Sequence, residues 1–296
     1  RYGVSYYHFV YRDVLFVMLN SNDGGGIHKM SERQVGWLQG VLEANPDPRW
    51  TLVFVHTPLW DNTNQDRWPE VDALLAGRKH TVFSGHKHQY AEFYRNNANY
   101  YMLATTGGGS RLRGTSFGEF DHVVWLTMTN EGPVLANLLL EGIWPKDVRT
   151  NEMRSYQRQL VESGKLVVQP ILYRNQFKEG ETEIRLTNDS DLSYQIDLNF
   201  KQIANVALTS ERSRSLTVPP NEVTVVKLSL KGIDAINRDQ AVVEMGWDLK
   251  FKLQGKKVSY NGKEELVVIR ELPVKSMQSA TVDGSLQEWG KLPYRN

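Results

Sequence analysis

Three histidines carry the chemistry this sequence could do. His56 ends the apolar run Trp50-Thr51-Leu52-Val53-Phe54-Val55, and His86 and His88 follow Thr81-Val82-Phe83 in the turn Ser84-Gly85-His86-Lys87-His88. Neutral imidazole is a good ligand for zinc, iron and manganese-type centres, and two histidines two residues apart in a glycine-led turn can aim their rings at different ions. Each follows a buried strand, so all three are expected at one edge of one sheet. His8, His28, His80 and His122 are read as surface or hydrogen-bonded core residues and are given no role.

The elements that must position them follow an alternating order. Val14 to Leu19 is a continuous apolar run that suits a strand buried on both faces. Ser31-Glu32-Arg33-Gln34 reads as a capping box opening a helix whose apolar face is Val35, Leu38, Val41 and Leu42. Asn45-Pro46-Asp47-Pro48 stops it, and the His56 strand follows. Pro69 suits the first turn of a second helix bearing Val71, Leu74 and Leu75, with Gly77 as its stop. Further strands are expected at Tyr100 to Ala104, Val123 to Met128 and Val134 to Leu140. This order implies an α/β layered domain. The loop carrying Trp60, Asp61, Asn62 and Trp68 either rims a substrate or packs as an ordinary loop, and Gly107-Gly108-Gly109-Ser110 either offers N–H groups to a phosphate or is a flexible turn.

Composition narrows the choices. The chain has 296 residues, 40% of them hydrophobic, with 35 basic residues against 34 acidic and a net charge of +1. That balance supplies no global field for nucleic acid, and no apolar run reaches the roughly 18 to 20 residues of a membrane-spanning helix. Cysteine is absent, which excludes disulfides, Cys-ligated zinc and thiol catalysis. The chain enters directly on a strand-like run at Arg1, which reads as a cut boundary.

Strand-His56-x-Pro58 and, one helix and one strand later, Gly85-His86-x-His88 together resemble the last two motifs of the calcineurin-like metallophosphoesterases. Tyr6-Tyr7-x-Phe9, Asn20-Ser21, Gln34-x-x-Trp37-Leu38 and Tyr100-Tyr101 through Gly107-Gly109 fall where that family places similar elements. Over residues 1–145 the resemblance implies an αββα sandwich with its N-terminal half missing, and two divalent ions, manganese, iron or zinc. His56 and His86 would bind one ion and His88 the other. Such a pair, about 3.5–4 Å apart, clamps a phosphoryl oxygen and lowers the pKa of a bridging water, so the implied activity is hydrolysis of a phosphomonoester or phosphodiester. The family's Asp-x-His, Gly-Asp-x-x-Asp and Gly-Asn-His motifs do not occur here. Its general acid is therefore expected upstream, and the chain alone is expected to be inactive. The alternative is a non-catalytic extracellular binding or structural protein with a degenerate phosphoesterase domain.

Residues 146–164 read as a helical linker, with Met153, Tyr156 and Leu160 on one side. Strict alternation then takes over, as in Tyr194, Ile196, Leu198, Phe200 and in Trp247, Leu249, Phe251, Leu253, so an immunoglobulin-like β-sandwich is expected over 165–276, acting as a spacer. Val282-Asp283-Gly284-Ser285-Leu286-x-Glu288-Trp289, within 277–296, resembles the opening of a family-nine carbohydrate-binding module. With the cysteine-free composition, these features imply export to the periplasm, cell surface or medium, near a polysaccharide or cell-envelope glycan.

Overall fold

The structure, a computed structural model, describes residues 5–209 and 211–271. The stretch resembling a carbohydrate-binding module lies outside the described residues.

The first body is built on a six-stranded sheet. Its strands are β1 (Tyr7–Tyr11), β2 (Val14–Leu19), β3 (Trp50–Val55), β4 (His80–Ser84), β5 (Ala91–Arg95) and β6 (Ala98–Met102), in the order β1-β2-β3-β4-β6-β5. β2, β3, β4 and β6 run parallel, and β1 and β5 close the edges antiparallel. Asn96 and Asn97, at φ 49° and 58°, make the tight β5–β6 turn, where two successive left-handed residues match the strand twist. The parallel strands are mostly buried and largely apolar because both faces are covered. Helices α1 (Glu32–Ala44) and α2 (Trp68–Leu75) cover one, burying Val35, Leu38, Val71 and Leu75 against Val17, Val53 and Val82. A three-stranded antiparallel sheet, β7 (Val123–Thr129), β8 (Gly132–Leu139) and β9 (Gly142–Pro145), lies over the other, across Val14, Leu52, Phe83, Tyr101 and Leu135.

The expected αββα layering is corrected here. On the outer side of the small sheet Val123, Trp125, Val134 and Ile143 are more than half exposed, so among the described residues no second helical layer covers it. Among the described residues there are eighteen strands and three α-helices, and the chain is sheet-dominated. The capping box also forms only in part. Ser31 accepts from the Gln34 N–H at 3.1 Å, but the Gln34 side chain is fully buried and turns instead to Asn20 and Asp23.

The second body is a β-sandwich. One sheet holds β10 (Leu166–Val168), β12 (Phe177–Asn188), β14 (Val206–Leu208) and β16 (Glu222–Ile236), ordered β10-β12-β16-β14. The other holds β11 (Ile171–Tyr173), β13 (Tyr194–Gln202), β15 (Ser213–Val218), β17 (Gln240–Leu253) and β18 (Lys256–Arg270), ordered β11-β18-β17-β13-β15. The period-two pattern puts Tyr194, Ile196, Leu198, Phe200, Leu249 and Phe251 inside, opposite Ile184, Leu186, Val226 and Leu228.

Helix α3 (Asn151–Leu160) joins the bodies, its first turn capped by Thr150, whose hydroxyl accepts from the Met153 N–H at 3.3 Å. Its apolar side, Met153, Tyr156 and Leu160, packs into the sandwich core, together with Phe117 from the first body. Arg149, fully buried, donates to the carbonyls of Ser116 and Tyr90 and to the Gln157 side chain. Burial lowers its pKa to about 10, which leaves the guanidinium charged at neutral pH.

Candidate functional site

The C-terminal ends of β2, β3 and β4 lie side by side, the place where open α/β sheets expose functional loops. Asn20 and Ser21 leave β2, His56 and Thr57 leave β3, and Gly85 to His88 leave β4. The Gly85 N–H donates to the His56 carbonyl at 2.9 Å and stitches two of these tips together. His86 and His88 both sit in the left-handed region, at φ 71° and 51°, which costs a non-glycine residue on the order of 1–3 kcal/mol. That conformation sends the two rings in different directions.

His86 turns toward β3, with its Nδ1 3.3 Å from His56 Nε2 and the two rings near perpendicular at 78°. His88 turns the other way, and its Nδ1 lies 2.5 Å from the Gly109 carbonyl. An Nδ1–H donated there leaves Nε2 with a free lone pair, the arrangement by which a carbonyl fixes a ligating histidine. His56, His86 and His88 are exposed. The His86 pKa lies below the ordinary imidazole value, through burial first and then the neighbouring His28, His56, Lys87 and His88, so the neutral, ligating form is favoured.

His28 joins this cluster, which its sequence context did not announce. Its ring meets His86 edge-on, with centroids 4.6 Å apart, and its Nδ1 lies 3.1 Å from Thr57 Oγ1. The loop from Asn20 to Met30 brings it there, held by Gln34 on Asn20 and Asp23, by Asp66 accepting from the Met30 N–H, and by Asn22 accepting from the His28 N–H. The one advance signal was Gln34, a polar residue inside the apolar face of α1. The other three histidines lie outside the cluster's contacts. His8 packs at a tilt against Trp37, and His80 and His122 are buried in hydrogen-bonded positions.

The candidate rim residues take other places. Trp60 is 4% exposed, turned inward by a single 3-10 turn over Leu59–Asp61, and packs between Trp68 and Tyr100. Asp61 accepts from Lys87 and from Arg154, both at 2.7 Å, and the Asn62 N–H closes the turn on Leu59. Burial raises the Asp61 pKa, but the hydrogen bonds and charges of Arg154 and Lys87 outweigh it and hold the carboxyl below its ordinary range. In the glycine turn the N–H groups of Gly107 and Gly108 donate to Asp121 and to Thr105 Oγ1, while Gly109 presents its carbonyl to His88.

Two nitrogens bound to one zinc-like ion at about 2.0–2.1 Å and a tetrahedral angle stand about 3.3–3.4 Å apart. The His56–His86 separation of 3.3 Å fits two ligands of one ion. Among the described residues no three His, Cys, Asp or Glu side chains gather closely enough to close an ion site. The described residues contain no helix long and apolar enough to cross a membrane.

No family model matches the sequence, and no curated protein matches it. The solved structures it resembles include the ASH/PapD-like domain 7 of human CEP192, at 11% identity over 38% of this chain and 89% of that one, with a TM-score of 0.25. They also include WR4, an MSP family member of C. elegans, at 9% identity over 36% and 98%, with a TM-score of 0.24. A third is AggA, the major subunit of aggregative adherence fimbriae type I from Escherichia coli, at 8% identity over 36% and 94%, with a TM-score of 0.27. The resemblance to calcineurin-like metallophosphoesterases is corrected: no family model matches the sequence, and among the described residues the outer helical layer of that sandwich is missing.

Proposed function

We propose that the natural gene product is a metal-dependent phosphoric ester hydrolase and that this chain supplies part of its site, with His56, His86 and His88 as metal ligands. The observation that carries this reading is the 3.3 Å approach of His86 Nδ1 to His56 Nε2 at two adjacent strand tips. Manganese, iron or zinc would supply polarisation of the phosphoryl group and activation of a water. The chain's own part is to orient. The carbonyl of Gly109 steers His88, and the β3–β4 stitch fixes His56 against His86.

The test is hydrolysis of nitrophenyl phosphate mono- and diesters by the natural gene product with added manganese or zinc. A His86→Ala, His88→Ala double variant is expected to lose the activity, and wild-type rates in that variant would overturn the proposal. A second reading, a non-catalytic extracellular binding protein, is favoured by the lack of a closed three-ligand set among the described residues. It expects no metal-dependent turnover and a measurable affinity for cell-envelope polysaccharide. Export belongs to both readings, supported by the cysteine-free composition and the sandwich, and cell fractionation decides it.

A further inference from the structure

His28 is held by a hydrogen-bond chain that has only one consistent direction. Ser21 and Thr57 are each 1% exposed, so each hydroxyl proton needs a protein acceptor. The Thr57 N–H donates to Ser21 Oγ at 3.3 Å, and Ser21 Oγ–H donates to Thr57 Oγ1 at 3.1 Å. The acceptor within reach of the Thr57 hydroxyl proton is then His28 Nδ1, at 3.1 Å. Were the direction reversed, with His28 Nδ1–H donating to Thr57, a buried hydroxyl proton on Thr57 or Ser21 would go unmatched, at a cost of about 1–3 kcal/mol. The chain therefore makes Nδ1 the acceptor and puts the ring proton of neutral His28 on Nε2. A protonated Nε2 does not ligate a metal, and it is an N–H donor.

The backbone points the same way. His28 is held at φ 61°, a left-handed conformation, by its N–H donating to Asn22 Oδ1 at 2.8 Å. A strained histidine clamped at both its backbone and its Nδ1, and packed edge-on against His86, is oriented rather than merely accommodated.

We propose that His28 is the hydrogen-bond donor of the site, presenting Nε2–H to an anionic oxygen of the phosphoric ester held beside His86. This rests on the function proposed above. It adds a residue that binds substrate, where His56, His86 and His88 bind metal.

Nitrogen NMR of the full chain reads the tautomer directly. The Nε2–H form is expected for neutral His28, shifting to a mixture in Thr57→Val, which keeps the shape and removes the hydroxyl. Titration of the zinc-loaded chain with inorganic phosphate should show binding weakened about tenfold in His28→Ala, the effect of one hydrogen bond to a charged group, with partial recovery in His28→Asn. Zinc affinity, measured by calorimetry, should be unchanged in His28→Ala and lost in the His86→Ala, His88→Ala variant. An Nδ1–H tautomer in the wild type would overturn the inference. So would unchanged phosphate affinity in His28→Ala with zinc still bound, which leaves the metal reading standing. A wild-type chain that binds neither zinc nor phosphate overturns both.

Discussion

Asp61 and Arg154 are 93 positions apart in sequence, and their side chains meet at 2.7 Å. The other carboxylate oxygen of Asp61 takes Lys87, the residue between His86 and His88. One carboxylate therefore ties helix α3, and through it the sandwich, to the turn that carries two of the three proposed ligands. The sandwich, which the sequence suggested as a spacer, is linked to the histidine turn by this route.

Removing one end of this tie should be costly, because Asp61 and Arg154 are only 13% and 12% exposed at their side chains. Arg154→Ala is expected to lower stability by about 3 kcal/mol, the lower end for breaking a buried pair by one partner. Hydrogen exchange should show faster opening of the Gly85–His88 turn in the same variant, with β2 and β3 unchanged.

The same carboxylate predicts an acid limb. Its folded pKa lies below its unfolded one, so its contribution is complete above the unfolded value of about 4 and is lost as the pH falls through the folded value. Denaturant midpoints measured from pH 6 downward should fall below about pH 4. Asp61→Asn should start lower and show a shallower fall.

His122 predicts a second limb at higher pH. Its Nε2 accepts from the Ala104 N–H and its Nδ1–H donates to Asn137, a pairing that only the neutral ring can make. Burial, more than any neighbour, puts its pKa below the ordinary value. The fold thus favours the unprotonated ring, and its contribution is complete above about pH 6.5 and declines as the pH drops below that toward the folded value. Thermal midpoints of wild type and His122→Gln should converge as the pH falls across that window.

Gly108 has no room for a side chain. A Cβ there would stand 2.3 Å from Thr105 Oγ1 and 3.5 Å from the His88 ring. Gly108→Ala should cost about 1–3 kcal/mol by overpacking and should displace Gly109, freeing the His88 ring. The expected readout is a changed His88 imidazole NMR signal with the His56 and His86 signals nearly in place.

Much of this was legible beforehand for a physical reason. Apolar runs such as Val14 to Leu19 and Trp50 to Val55 have one stable use between two covered faces, and histidines directly after them must reach the strand tips. The number of layers was not legible. Val124, Leu126 and Met128 alternate as a half-buried strand does whether or not a helix covers the other side, and the exposure of Val123 and Trp125 decides it. Trp60 stayed open for a related reason, since an aromatic residue beside Asp61 and Asn62 in a loop reads the same whether a short turn points it out or in. His28 was hidden because its place depends on long-range hydrogen bonds from Gln34 and Asp66, which leave no periodic trace.

The junction around Arg149 bears on how such chains are recombined. A sandwich excised at Leu166 would leave Phe117, Met153, Tyr156 and Leu160 behind, and with them part of its own interior. It would also lose the partner of Tyr260, whose hydroxyl donates to the Met153 carbonyl at 3.0 Å. The sandwich is therefore not a portable cassette. A gene fusion that moved it to another protein would have to carry α3 along and supply a surface to take the place of Phe117, and a crossover that spared the reading frame but cut at the visible change of sequence pattern would yield two incomplete halves.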